Sequence, residues 1–148
     1  MTFGAKCFRG EAVGYEELFD ALNLQIWTAD ESGALTFVNE FTAGYFGKSR
    51  EQLIGEGWQN VLHSADLTLA VERWTAAIRT GEPYHVDFRL LRAADRTHRW
   101  HHASARLIVS DGAKLWLGSN IDVDAEKRSD EIMQAWREQL ASRGDSSR

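Results

Sequence analysis

The sequence predicts an α+β domain in which helices gather on one face of a five-stranded antiparallel sheet. Near the start, two β-rich runs flank a tight turn at Gly33. A central stretch then carries apolar residues at helical spacing, and after Pro83 the pattern changes to strand alternation in three successive runs. The predicted order of elements is β-β-α-α-α-β-β-β, followed by a charged helix that extends from the sheet.

Composition limits the classes of protein to consider. The 148 residues include 17 Lys and Arg against 22 Asp and Glu, which gives a net charge of −5. A chain of this length forms one domain and can bury a core that holds a pocket. Nucleic acid is not an expected partner, and no apolar run approaches the roughly 18 residues that a membrane span needs. Cys7 is the only cysteine, which excludes an internal disulfide and favours a reducing, cytoplasmic location.

The N-terminal part predicts a lead-in, a short helix and a hairpin. Residues 1–14 carry three glycines and no sustained period, so we expect a flexible segment. Apolar residues at helical spacing predict a short amphipathic helix over residues 15–22. The hairpin joins residues 25–29 to residues 34–38, because Gly33 can adopt the positive φ of a tight turn.

Each of the next three helices is predicted from its cap. Asn39 stands at the N-cap of a short helix, and Ser49 begins a Ser-x-x-Gln capping box. The longest helix spans about residues 65–80, with Ser64 or Asp66 as its cap. Period-two alternation then marks the last strands, and a charged helix follows them; these elements are residues 84–91, 97–109, 114–123 and 124–142.

Many short motifs, each weak alone, follow one another along the chain. They are Ile26-Trp27-Thr28-Ala29-Asp30 with Gly33, Phe37-Val38-Asn39, Leu53-Ile54-Gly55, Trp58, His63-Ser64-Ala65-Asp66, Trp74, Gly81-Glu82-Pro83-Tyr84, Arg89, Arg99-Trp100, Asp111-Gly112, Trp116-x-Gly118 and Asp122-Val123. Together they resemble, over roughly residues 15–128, a bacterial PAS sensor domain of the tryptophan-rich subtype with a PAC-like C-terminal half. The chain departs from that family's pattern at Ser64, Arg96 and Ile108.

The resemblance implies a sensory module with three parts. Residues 1–14 would be the lead-in, residues 15–123 the PAS domain, and residues 124–148 a signalling helix with a polar tail. Such a module senses a small ligand or a redox change and acts on a partner such as a histidine kinase, a cyclic-di-GMP enzyme or a transcriptional regulator. On this interpretation the chain is not itself an enzyme.

The resemblance leaves the ligand undecided, because relatives bind flavin, haem, small acids or nothing. Relatives that form a cysteine adduct with FMN carry Gly-x-Asn-Cys where this chain has Gly55-Glu56-Gly57-Trp58, so that chemistry is not expected. Related haem sensors take an axial histidine from the long helix or its flank. Residues 67–80 contain none, and His63 is expected to cap or pack at the loop, so haem is not expected either. A non-covalent FAD and a small organic ligand stay possible, as does an empty pocket.

Strand alternation selects a candidate pocket face. On the last three strands, Phe88, His101 and Asn120 point to the same side, and His101 and Asn120 would be polar groups in an apolar cavity. A buried imidazole or amide needs a partner, which a ligand can supply; the alternative for the apolar members is plain core packing. The full set of predicted ligand-binding residues is Trp27, Phe37, Trp58, Val71, Trp74, Phe88, His101 and Asn120.

Metal and enzyme interpretations are weaker. His98 and His102 share a face but lie about 13 Å apart on a strand, and His101 faces the other way, so the three do not converge on a metal. A small cone-shaped hydrolase or isomerase is the alternative of another class, with His63 and Asp66, or His101 and Asp87, as acid-base pairs.

The terminal helix predicts a homodimer. Apolar residues recur on it with a spacing of three and four, although under three heptads are present. An isolated apolar patch on a charged helix usually has a partner. The residues expected in dimer formation or signalling are Leu18, Phe19, Leu22, Asp122, Met133, Trp136 and Leu140.

Overall fold

The computed structural model describes residues 6–8 and 11–145, and its main feature is a five-stranded antiparallel sheet. The strands lie side by side in the order β4-β3-β7-β6-β5. Helices α2, α3 and α4 and two 3₁₀ turns connect β4 to β5, so the fold is the expected α+β arrangement. The elements of the sheet and its helices are β3 (Gln25–Ala29), β4 (Leu35–Val38), α2 (Glu40–Phe46), α3 (Arg50–Leu53), α4 (Leu67–Thr80), β5 (Tyr84–Arg92), β6 (Thr97–Ser110) and β7 (Ala113–Asp122).

The N-terminal part contains more structure than its sequence pattern indicated. Two three-residue strands, β1 (Lys6–Phe8) and β2 (Glu11–Val13), pair antiparallel outside the main sheet. The prediction of a flexible lead-in also covered residues 1–5, 9 and 10, which lie outside the described residues. Helix α1 (Tyr15–Asp20) follows, close to its predicted span.

The predicted helix caps are present, with one exception. The Asn39 side chain accepts the Thr42 N–H, and Ser49 forms a reciprocal capping box with Gln52. At α4, however, Asp66 makes no capping bond, and its carboxylate instead accepts three hydrogen bonds from Arg89. The expected cap of α4 is therefore a cross-link between the helix start and strand β5.

The core lies between the helices and one face of the sheet. Cross-strand pairing aligns Trp27 of β3 with Val38 of β4 and Gly118 of β7, and these three share the core face. Three tryptophan rings meet there: Trp74 of α4 contacts Trp27 edge-on at 5.5 Å and Trp116 at 5.2 Å between ring centroids. Trp74 therefore points inward, as predicted.

The turns at the two ends of strand β6 differ in backbone strain. Asp111 and Gly112 both have positive φ, 49° and 79°, and join β6 to β7 as the predicted tight turn. In the turn between β5 and β6, Arg96 has φ 55°, a left-handed conformation that disfavours a residue with a Cβ. The family that the sequence resembles usually has glycine at this position, so the departure seen in the sequence has a local energetic cost.

Helix α5 (Asp124–Asp145) leaves the sheet, as the sequence predicted. Only its first turn packs on the body, where Asp124 is buried and Lys127 is half-buried. From residue 128 to residue 144 every position is exposed. Among the described residues, no helix is both long enough and apolar enough to cross a membrane.

Candidate ligand site and its link to the C-terminal helix

A small cavity lies between the core face of the sheet and the helices. Its volume is about 50 Å³, enough for a few water molecules or a small organic group. The lining is aliphatic and aromatic except for Thr42 and Asn120. The lining residues are Trp27, Leu35, Val38, Thr42, Phe46, Leu53, Trp58, Val61, Trp74, Tyr84, Phe88, Leu90 and Asn120.

Five of the eight predicted ligand-binding residues line this cavity, and they come from both strands and helices. They are Trp27, Trp58, Trp74, Phe88 and Asn120. Asn120 is the polar group of the sheet that faces the cavity, and Trp58 forms a half-buried part of its wall.

Three predicted residues lie elsewhere. Phe37 pairs with Thr28, so it faces the side of the sheet opposite to Trp27, where it packs on Tyr15 and Phe19 of α1. Val71 lies half-buried on α4 but outside the cavity wall. His101 has the predicted inward orientation and is fully buried, yet it lies beyond the cavity, with its ring edge-on to Tyr45 of α2.

A chain of hydrogen bonds connects the cavity wall to His101. Trp27 Nε1–H donates to Asn120 Oδ1 at 3.0 Å, and Asn120 Nδ2–H donates to Gln25 Oε1 at 3.2 Å. Gln25 Nε2 lies 3.1 Å from His101 Nε2, and His101 Nδ1 lies 2.8 Å from the Arg99 carbonyl oxygen. Gln25 is absent from the predicted site, although its alternation with Trp27 on β3 places both on one face.

The groups at the two ends of this series of hydrogen bonds, an indole and a backbone carbonyl, determine the direction of every bond between them. An indole N–H can only donate and a backbone carbonyl can only accept. Asn120 and Gln25 therefore each accept on the indole side and donate on the imidazole side. His101 must then accept at Nε2 and donate from Nδ1, which is the neutral Nδ1–H tautomer. Burial lowers the pKa of His101, which agrees with a neutral ring.

Asp122 connects the same region to the start of α5. Its carboxylate accepts the Tyr45 hydroxyl at 2.9 Å and Arg99 Nε at 2.6 Å, and it also accepts the backbone N–H of Asp124 at 3.0 Å. Burial by itself raises the pKa of Asp122, but these hydrogen bonds together hold it below its usual value. Asp122 was predicted to act in dimer formation or signalling; in the structure it binds residues of its own chain.

A second contact holds the first turn of α5 on the outer face of the sheet. Lys127 Nζ lies 2.8 Å from Asp87 Oδ2, and the same ammonium lies 5.3 Å from the centre of the Trp100 ring. The other oxygen of Asp87 contacts His102 Nδ1 at 2.7 Å. Hydrogen bonds from Lys127 lower the pKa of Asp87, burial opposes that shift, and His102 adds to it.

The acid-base pairs of the hydrolase alternative do not form. His101 and Asp87 lie on opposite faces of the sheet, because neighbouring strand positions alternate and His102, not His101, meets Asp87. The Asp66 carboxylate is held by Arg89, and His63 Nδ1 accepts the Ala65 N–H. The described residues include no group of three or more His, Cys, Asp or Glu placed to hold a metal ion.

The cavity does not fit the larger cofactors of related sensors. Pockets for such molecules have volumes of roughly 300 Å³ or more, against about 50 Å³ here. The position that a cysteine would need for a flavin adduct carries Trp58, and Cys7 lies in β1, outside the main sheet. A small organic molecule is the ligand class whose size agrees with this space.

Apart from Asp122, the predicted dimer and signalling residues divide into two groups. Leu18, Leu22, Met133, Trp136 and Leu140 are exposed large apolar side chains. Phe19 is half-buried against Phe37, with ring centroids 6.3 Å apart.

The sheet order, the helices on one face and the helix that leaves the last strand define the PAS fold. The family model described as "PAS fold" matches residues 35–120, and the chain belongs to that family. The uncharacterized protein y4lL of Sinorhizobium fredii (strain NBRC 101917 / NGR234) is 32% identical over 111 residues. That match covers 72% of this chain but only 13% of y4lL, so the chain spans a small part of that relative's length.

Solved structures share the fold at low sequence identity. A PAS domain from Colwellia psychrerythraea superposes with a TM-score of 0.60 at 21% identity, covering 74% of this chain and 93% of that one. A sensory box histidine kinase/response regulator from Burkholderia thailandensis E264 gives a TM-score of 0.62 at 17% identity, covering 86% and 98%. These similarities show the fold.

Proposed function

We propose that this PAS domain binds a small, uncharged, mainly apolar molecule that carries one hydrogen-bonding group such as a carbonyl. The observation that carries the proposal is the cavity of about 50 Å³ with an aromatic lining and Asn120 on its wall. The two hydrogen bonds of Asn120 use one of its two N–H groups and one lone pair of its oxygen, which leaves one of each for a ligand. A charged ligand is disfavoured, because the lining supplies no charged group to offset its desolvation.

The proposed signal passes from Asn120 to the terminal helix. A ligand that accepts the second N–H of Asn120 draws the amide group toward the cavity and lengthens the bond from Asn120 to Gln25, and Gln25 holds His101 in its tautomer. His101 packs on Tyr45, and Tyr45 donates to Asp122 at the start of α5. Ligand binding therefore changes the hydrogen bonds that hold the first turn of α5. A ligand shifts this equilibrium only by its difference in affinity for the two states.

The output of the domain is proposed to be a homodimer contact through α5, together with α1, that regulates a cytoplasmic effector. The exposed apolar residues of α5 support the contact, and the effector classes are those implied by the family: a histidine kinase, a cyclic-di-GMP enzyme or a transcriptional regulator. Sedimentation equilibrium tests the dimer, and a monomer at high concentration would refute it.

The first experiment on the ligand is an absorption spectrum of the purified protein, followed by mass spectrometry of what heat denaturation releases. We expect no visible bands; flavin or haem bands would overturn the proposal. Binding is then measured by ligand-observed NMR with butan-2-one and with 2-methylbut-1-ene, in which a methylene group replaces the carbonyl oxygen. The ketone should bind more tightly than the alkene.

The variant Asn120→Leu removes the hydrogen-bonding group and should abolish that preference. Asn23→Leu, at an exposed position, is the matched control and should retain it. Because Asn120→Leu also deprives the Trp27 N–H of its acceptor, Asn120→Gln is measured alongside and should keep a preference for the ketone. Equal binding of ketone and alkene to the wild-type protein would refute the role of Asn120.

A further inference from the structure

The terminal helix α5 carries an exposed apolar stripe over its middle. Ile132, Met133, Trp136 and Leu140 have between 52% and 63% of their surface exposed. Met133, Trp136 and Leu140 follow the alternating spacing of three and four residues that places side chains along one seam of a helix. The same seam continues to Ser129 and Glu126 on one side and to Arg143 on the other.

This stripe faces away from the domain that carries it. At about 100° per residue, Asp124 and Lys127, which hold the first turn on the body, lie roughly 150° around the helix from the stripe. A partner helix can therefore lie along the stripe without meeting the sheet to which α5 is attached.

We infer that the occupant of this stripe is α5 of a second copy, running in the opposite direction. The inference rests on the proposed homodimer and specifies its orientation and register. In the register that places Met133 opposite Trp136 of the second copy, the pairing is symmetric about the point midway between residues 134 and 135. That register aligns the whole seam, because residues 126–143 of one helix then overlap the same span of the other. The central layers then place a methionine sulfur against an indole ring, a favourable contact.

The charges at the ends of the seam favour the antiparallel direction. In that register Glu126 lies opposite Arg143 of the second copy, and the symmetry of the dimer repeats this pair at the other end. In a parallel pair, each seam residue meets its own copy, so Glu126 would face glutamate and Arg143 would face arginine. Like charges at facing positions are destabilising.

The charges of the residues beside the seam also favour the antiparallel direction. In an antiparallel pair the flanking residue Asp130 faces Arg137 of the second copy, twice by symmetry. In a parallel pair Asp130 would face Ala125 of the second copy, and Arg137 would face Ile132. Neither charge would then meet an opposite charge. Residues on the outer side of the helix, such as Glu131 and Glu138, take part in neither arrangement.

Charge reversal tests the orientation. We expect Glu126→Arg or Arg143→Glu to raise the dissociation constant of the dimer about tenfold, since each turns two attractive layers into repulsive ones. The double variant should return the constant close to that of the wild type, because the charges have only exchanged places. In a parallel dimer each seam residue meets its own copy, so the single and double variants alike would keep like charges in both layers and leave the constant unchanged. Glu138→Arg, an exposed outer position, is the matched control and should leave the constant unchanged.

Cysteine cross-linking gives an independent result in a Cys7→Ser background. Ser129 faces Leu140 of the second copy in the antiparallel register, so Ser129→Cys with Leu140→Cys should form a cross-linked dimer, and each single variant should not. Efficient cross-linking of either single variant would overturn the antiparallel inference and leave the homodimer standing. A wild-type chain that sediments as a monomer would refute the homodimer itself.

Discussion

Replacing Gly118 by alanine is expected to destabilise the domain through the tryptophan on the opposite strand. A Cβ at this position would lie 2.2 Å from Trp27 Cζ2 and 2.3 Å from Cε2. Ordinary contacts begin near 3.4 Å, so the indole must move by more than 1 Å. Trp27 has little room for that movement, because Trp74 packs on its ring and Asn120 accepts its N–H.

The size of the effect follows from these contacts. Overpacking of this kind costs about 1–3 kcal/mol, and loss of the Trp27–Asn120 hydrogen bond costs about 1 kcal/mol more. Removing a glycine from a strand recovers about 0.5–1 kcal/mol of backbone entropy. The net loss in the free energy of unfolding is therefore about 2 kcal/mol.

Urea denaturation followed by tryptophan fluorescence and by far-UV circular dichroism measures this loss. With a slope of about 2 kcal/mol per molar urea, the midpoint should fall by about 1 M. Gly44→Ala is the matched control: Gly44 lies exposed within α2 with no atom near the added Cβ, and its replacement should stabilise by about 0.5–1 kcal/mol. A Gly118→Ala midpoint equal to or above the wild-type value would refute the packing argument.

Two further predictions concern pH and backbone strain. Because burial holds the pKa of His101 below the ordinary value of 6.5, the unfolded chain binds more protons than the folded one below that pH, and stability is lost as the pH falls from 6.5. Urea titrations at pH 7.5, 6.5 and 5.5 should show a steeper loss for wild type than for His101→Gln; equal slopes would contradict a neutral, buried His101. Arg96→Gly should raise the free energy of unfolding by about 0.5 kcal/mol, since relief of a left-handed φ, about 1–2 kcal/mol, exceeds the added entropy of the unfolded chain. A lower thermal midpoint for this variant would show that the Arg96 side chain stabilises the turn by more than its strain.

The sequence predicted which side of each long strand faces the core. His101 and Asn120 were placed on one face by alternation, and both do face inward. Alternation does not show at which position along a strand the helices leave space for the cavity. Asn120 lies at the gap, whereas His101 lies under Tyr45 of α2, because the path of α2 across the sheet depends on packing between distant segments.

Phe37 shows the same limit on a short strand. Its sequence neighbourhood is as apolar as that of Val38, and only the pairing of β4 with β3 shows that Val38, not Phe37, shares the face of Trp27. Helix α1 packs against Phe37, so this apolar residue is buried although it lies on the outer face of the sheet. Asp66 likewise had the chemistry of a helix cap but bonds to Arg89, 23 residues away in sequence.

By itself the sequence determined the features that depend on a few neighbouring residues: the caps at Asn39 and Ser49, the turn at Asp111 and Gly112, the alternation of the strands and the exposed character of α5. The tertiary structure decided what depends on segments far apart in the chain. It inserted β3 between β4 and β7, joined Trp27, Asn120, Gln25 and His101 into one chain of hydrogen bonds, and connected Tyr45 through Asp122 to α5. The physical reason is that caps and turns satisfy backbone groups locally, whereas a buried polar side chain takes whichever partner the closed sheet brings within reach.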